Sequence, residues 1–123
     1  MLSIYGGSGF IGRRYLSMYK DSLKIEREDR NPKSNDILYF ISTVDNYNVH
    51  EDICLDVETN LKILCEVLDK CKSDKITFNF ISSWFVYGET NKLPADENQI
   101  CNPKGFYSIT KKCAEDLIIS FAN

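Results

Sequence analysis

The chain has 123 residues, 43% of them hydrophobic and 27% charged, with a formal net charge of −3. That is enough chain for one domain with its own core, and its interspersed acids and bases give no clustered basic surface of the kind nucleic acid selects. No apolar run approaches the roughly 20 residues that span a bilayer, and no basic region precedes the first apolar residues, so neither membrane insertion nor a signal peptide is expected and a cytoplasmic protein is.

In chain order, residues 2–5 form a short apolar run that stops at Gly6 and suits a buried first strand. "GGSGFIG" follows, and then a helix is predicted over 10–20. Residues 23–28 read as a second strand whose charged end reaches the surface, and "DRNPKSND" as a turn-rich connection. Residues 37–43, "ILYFIST", carry the strongest strand signal, β-branched and aromatic between Asn-Asp and Asp-Asn. Over 51–72, Val57, Leu61, Leu64, Leu68 and Cys71 recur at spacings of three and four, which predicts one amphipathic helix. A strand is expected over 76–82, a loop with two prolines over 89–104, and a final helix over 106–121 with Ile109, Cys113, Leu117 and Phe121 as its stripe. Strands alternating with helices imply an α/β fold: a Rossmann-like parallel sheet with helices on both faces, ligands gathering at the carboxyl ends of the strands.

Gly6, Gly9 and Gly12 are spaced G-x-x-G-x-x-G between the first strand and first helix. Such glycines allow a tight turn, backbone approach to a pyrophosphate and close helix–strand packing. The helix start then offers unpaired N–H groups and a positive dipole end. The expected cofactor-binding set is Gly6, Gly9, Phe10, Ile11 and Gly12. The cofactor is NAD or NADP; the second strand ends in Glu26-Arg27-Glu28-Asp29-Arg30, where an acid would serve a ribose hydroxyl and Arg27 or Arg30 a 2′-phosphate. The two arginines tip the reading toward NADP. Five cysteines without a C-x-x-C pair, and a single histidine, His50, make reduced thiols the expectation and a metal site not.

Tyr107 is the one tyrosine with a lysine four positions on, Lys111. On a helix the two share a face, and a cation there favours the phenolate, making Tyr107 a usable acid or base. Ser83 ends a strand on the edge of the sheet expected to carry the glycine loop. "GGSGFIG", "ISSWFVYGE" and "YSITK", in this order, resemble the extended short-chain dehydrogenase/reductase family, which includes the NAD-dependent nucleotide-sugar epimerases and dehydratases. "DVETNLKILCEVLDKC" resembles that family's long fourth helix. The resemblance implies a Rossmann domain carrying NAD or NADP and a nucleotide-sugar substrate. It implies Ser83 as catalytic serine, Tyr107 as general acid/base and Lys111 as the residue that binds the nicotinamide ribose and assists the tyrosine. It also implies a homodimer through the helices near 51–72 and 106–121, with outward residues such as Ile63, Val67, Ile118 and Ile119 in contact.

The chain departs from that family. A strand and helix usual before "DILYFIST" are missing. Trp84 and Phe85 stand where the 4,6-dehydratases carry Asp-Glu, which points to an epimerase or reductase; the two aromatics are expected to pack under a loop. Asp56 stands in place of a common asparagine and Tyr5 in place of a common threonine. The family is much longer, so residues 1–123 are expected to be a truncated, N-terminal NAD(P)-binding portion without the C-terminal substrate-binding part. The alternative is a non-catalytic dinucleotide-binding module.

Overall fold

The structure, a computed structural model, describes residues 1–44, 51–72, 75–90 and 92–123. It divides into two compact units, Met1–Ser42 with Lys62–Ile81, and Thr43–Leu61 with Ser82–Asn123. His50 lies outside the described residues.

The first unit is built on a four-stranded parallel sheet of order β2-β1-β3-β4, formed by β1 (Leu2–Tyr5), β2 (Leu23–Lys24), β3 (Asp36–Tyr39) and β4 (Thr77–Phe80). Two helices belong to it, α1 (Phe10–Met18) and α2 (Ile63–Lys70). The chain leaves β1 toward one side of the sheet and β3 toward the other. Right-handed crossovers therefore put α1 and α2 on opposite faces. Registers Ser3↔Ile37↔Phe78 and Tyr5↔Tyr39↔Phe80 define one face. Its aromatic rings run in a row, Tyr5 to Tyr39 at 5.8 Å and Tyr39 to Phe78 at 5.6 Å. Phe40 alternates to the other face, where Tyr15 of α1 meets it at 5.9 Å.

The second strand stops at Lys24 instead of reaching residue 28. Ile25 N–H still bonds to the Ile4 carbonyl, but Asp29 N–H turns back to Glu26. The connection to β3 contains no strand, and side chains of β1 pin it instead. Ser3 Oγ pairs with Ser34 Oγ at 2.8 Å and accepts Lys33 N–H at 2.9 Å. Tyr5 Oη donates to the Arg30 carbonyl at 2.9 Å. This is why a tyrosine rather than a threonine suits position 5: only the longer side chain reaches that carbonyl. β1 has the expected span, whereas α1, β3 and β4 are shorter than expected, ending at Met18, Tyr39 and Phe80.

The helix predicted over 51–72 is not uniform. A π-helical turn, Val57–Lys62, precedes α2. The wider turn shifts the buried face, so Val57 is exposed while Asp56, Asn60, Leu64, Val67, Leu68 and Cys71 are buried. Val67 is fully buried and cannot be an outward contact.

The second unit contains a 3₁₀ turn, Trp84–Tyr87, packed on the long helix α3, Gly105–Ala122. The loop between them is closed by a bridge from Gly88 to Asn102, with Asn102 N–H on the Tyr87 carbonyl at 3.1 Å. A Cβ on Gly88 would lie 1.9 Å from the Asn102 carbonyl oxygen, and its φ is +65°, so no other residue fits. The predicted stripe on α3 is not its buried face: Ile109 and Phe121 are exposed, and Ser108, Thr110, Lys111 and Ala114 are buried. The hydrophobic spacing misleads here because the neighbouring segments offer hydrogen-bond partners rather than an apolar wall. Among the described residues no helix is long and apolar enough to cross a membrane. All five cysteines are free.

The Tyr39 hydroxyl is buried with no hydrogen-bond partner among the described residues. Tyr39→Phe removes that unsatisfied group and keeps the ring, so it should leave stability unchanged or raise it by about 1 kcal/mol, whereas Tyr5→Phe, which loses the bond to Arg30, should cost about 1 kcal/mol. Thermal unfolding of the two variants side by side checks this; a clearly lower Tm for Tyr39→Phe would mean that its hydroxyl is satisfied.

Candidate active site

The first unit supplies the glycine loop. Gly9 N–H bonds to the Gly6 carbonyl at 3.0 Å, and Gly9 is the N-cap of α1. No side chain caps this helix start, and no acid lies in its first turn. Gly12 is buried one turn in. A Cβ there would sit 2.2 Å from the Gly6 carbonyl oxygen, so this glycine is demanded by packing. A Cβ on Gly9 would meet only the same oxygen, at 3.3 Å, and its outward side is open. Phe10 and Ile11 are exposed at the helix start, 89% and 57%. A helix start with no side-chain cap and no acid in its first turn suits a pyrophosphate.

The charged end of the second strand is arranged differently from a phosphate clamp. Arg30 Nε pairs with Glu66 of α2 at 2.8 Å, and its NH1 donates to the Arg27 carbonyl at 2.7 Å. The Arg30 guanidinium is therefore occupied in holding the connection to α2. The Arg27 side chain is exposed.

The second unit holds Ser83, Tyr107 and Lys111. Ser83, in extended backbone, starts the 3₁₀ turn and accepts Phe85 N–H at 3.3 Å, which leaves its own hydroxyl proton to give. Phe85 stands edge-on to Tyr107 with ring centroids 6.2 Å apart. The 3₁₀ turn thus brings the Ser83 segment to the first turn of α3. Trp84 and Phe85 are each 54% exposed rather than packed under a loop; Trp84 makes an edge contact with Tyr87 at 5.3 Å.

Lys111 lies one helical turn beyond Tyr107 and is only 2% exposed. Burial pulls its ammonium down to about 8, and the Glu115 carboxylate, one turn further along α3, works in the opposite direction. Glu115 also accepts the Ser82 hydroxyl proton, which ties α3 to the residue before Ser83.

Behind these groups is a buried polar cluster that sequence reading missed. Asn60 bonds to Thr43 and Thr110, Thr43 donates to Asp56, and Thr110 Oγ1 donates to the Tyr107 carbonyl at 2.9 Å. The available signal was Asp56 and Asn60 four apart, in register with Leu64 and Leu68 on the buried stripe.

The sequence model of the NAD dependent epimerase/dehydratase family matches residues 29–123, a stretch that includes Ser83, Tyr107 and Lys111. The chain belongs to this family. No curated protein sequence matches the chain. Among solved structures it is similar to the UDP-glucose 4-epimerase from Brucella ovis in complex with NAD, at TM-score 0.84 and 20% identity, covering 98% of this chain and 47% of that one. It is similar to RMD from Pseudomonas aeruginosa complexed with NADPH, at TM-score 0.83 and 22% identity over 98% and 48%. A third is the UDP-N-acetylglucosamine 4-epimerase from Methanobrevibacter ruminantium in complex with UDP-N-acetylmuramic acid, at 0.83 and 20% over 98% and 49%. These likenesses show the Rossmann-like fold of the family, and the chain spans about half the length of each structure. The family match begins beyond the glycine loop, so the loop rests on its own geometry.

The Lys111 ammonium makes stability depend on pH. An exposed lysine titrates near 10.4 and Lys111 near 8. Below pH 8 both folded and unfolded chains hold the proton; between pH 8 and about 10 the unfolded chain holds more, so stability rises with pH through that window. The unfolding free energy of the parent relative to Lys111→Met should therefore be flat below pH 7 and climb from pH 8 to about 10. Urea unfolding at several pH values checks it, and a flat difference across the window would show that the ammonium is solvated.

Proposed function

We propose that the chain is the NAD(P)-binding, acid–base-bearing portion of a nucleotide-sugar epimerase or reductase. The observation that carries this reading is the buried Lys111 one turn from Tyr107 on α3, in a chain of this family, with Ser83 on the segment packed beside that turn. Similar structures that hold NAD, NADPH or UDP-sugars support the cofactor and substrate class. Aromatic Trp84 and Phe85 offer no carboxyl group for eliminating water, which favours an epimerase or reductase.

Each residue then has a role. Gly6, Gly9, Phe10, Ile11 and Gly12 would hold the pyrophosphate through backbone N–H groups at the start of α1. Arg27 is the cation available toward a 2′-phosphate, since Arg30 is engaged with Glu66. When bound, the nicotinamide takes or gives the hydride. Tyr107 would take the proton from a sugar hydroxyl, or return it, at its phenol oxygen. Ser83 would donate its hydroxyl proton to the same sugar oxygen and orient it. Lys111 would hold the nicotinamide ribose and support negative charge on the Tyr107 oxygen. Free thiols fit a cytoplasmic setting. A homodimer is also proposed, drawing on the exposed residues Ile109, Ile119 and Phe121 of α3; sedimentation showing a monomer at high concentration would remove it.

Gly9→Val tests the cofactor role, because a side chain at position 9 requires the Gly6 carbonyl oxygen, 3.3 Å from its Cβ, to give only slightly, yet it stands where phosphate must approach. Fluorescence titration with NADH and NADPH should show binding to the parent chain and at least tenfold weaker binding to the variant. Equal binding would overturn the loop assignment. Tyr107→Phe should leave dinucleotide binding intact and lower turnover of a UDP- or dTDP-sugar by about 10²–10⁴-fold. Turnover that survives the substitution would remove Tyr107 from the chemistry.

A further inference from the structure

We propose that Asn60 is a positioning residue for the turn of α3 that carries Tyr107 and Lys111. The evidence is a buried set of hydrogen bonds within the second unit, and their donors and acceptors can be assigned by elimination. Thr43 N–H can only donate, and it faces Asn60 Oδ1 at 2.9 Å. Thr110 Oγ1 spends its one proton on the Tyr107 carbonyl, so it must accept from Asn60 Nδ2, 3.0 Å away. Thr43 Oγ1 spends its proton on Asp56 Oδ1, so it accepts the second amide hydrogen, at 3.1 Å. Both protons and the oxygen of one amide are used, and Asn60 is 2% exposed. An aspartate there would have no proton for either hydroxyl, and a leucine would take away the acceptor that Thr43 N–H uses and the amide hydrogens that the two hydroxyls accept.

The bonds run in one direction, from the Asn60 amide through the Thr110 hydroxyl to the Tyr107 carbonyl. That carbonyl belongs to the first turn of α3, so the amide sets where the turn sits. Asn60 itself stands in the π-helical turn Val57–Lys62, a local widening common near functional sites. Thr110 and Lys111 are neighbours on the buried face, and loosening the turn would let water reach the ammonium. Placement matters because a misplacement of about 1 Å can cost roughly a hundredfold in rate. The inference rests on the proposed function only for what the turn does; the clamp stands without it.

The test is the titration midpoint of Lys111, read by NMR on the full chain with ¹³Cε-labelled lysine and assigned by comparison with Lys111→Met. In the parent it should lie near 8. Thr110→Val keeps the volume but removes the hydroxyl, and should raise the midpoint by about one unit, as should Asn60→Leu, because the ammonium is rehydrated. Thr110→Ser keeps the hydroxyl and should restore the parent midpoint, a rescue that loss of general stability would not produce. Glu115, the charged neighbour of Lys111, is unchanged throughout. If Thr110→Val titrates with Thr110→Ser and the parent, the proposal is overturned, and this holds even where Asn60→Leu does not fold. A midpoint that moves as expected in a chain that turns over no nucleotide sugar would leave the clamp standing and reject the proposed function alone.

Discussion

The first unit depends on β1. Its two partners, β2 and β3, lie on either side of it, and its own side chains also hold the connection between them. Ser3 and Tyr5 point to one face and satisfy Ser34, Lys33 N–H and the Arg30 carbonyl. A connection without a strand must place its backbone polar groups somewhere, since leaving them buried and unpaired costs free energy comparable to a lost hydrogen bond. β1 provides that place. Its end also leads into the glycine loop, where the Gly6 carbonyl approaches Gly12 so closely that a side chain at position 12 has no room.

The second unit solves a different problem. Its buried residues include Thr43, Asp56, Asn60, Ser108, Thr110 and Lys111, a polar interior that is stable only if its groups find partners. The hydrogen bonds around Asn60 meet that condition with few atoms to spare. The depressed Lys111 ammonium is the residual cost, since burial disfavours its charge and the nearby Glu115 carboxylate offsets part of the penalty. A core of this kind holds side chains in one arrangement, where an apolar core would tolerate repacking.

The two units therefore differ in what positions the atoms of their candidate sites. In the first, backbone geometry does so, through the close approach of Gly12 to Gly6 and a helix start without a side-chain cap. In the second, side chains do so, through a serine that caps a 3₁₀ turn, an aromatic edge against Tyr107 and an amide that bridges two threonines.

Much of this was legible in the residues. Glycines at intervals of three after a short apolar run announce a strand, loop and helix, and the parallel α/β order follows from alternating patterns. Tyr107 and Lys111 four apart needed only helical periodicity. Three features were not legible. The α3 stripe of Ile109, Cys113, Leu117 and Phe121 has the right spacing for burial, yet the polar Thr110–Lys111 side is buried, because periodicity shows that a helix has faces but not which face meets a partner. The π-helical turn moves Val57 out and Asn60 in, a shift of register that residue types do not reveal. The ion pair of Arg30 with Glu66 joins residues 36 positions apart, a contact that the order of residues does not reveal. The sequence by itself determined the main strands and helices, the glycine loop and the placing of Tyr107 and Lys111 one helical turn apart, since those depend on neighbours within a few residues. Only the tertiary structure decided which polar groups are buried together, because that depends on contacts such as Asn60 to Thr110, which lie 50 positions apart.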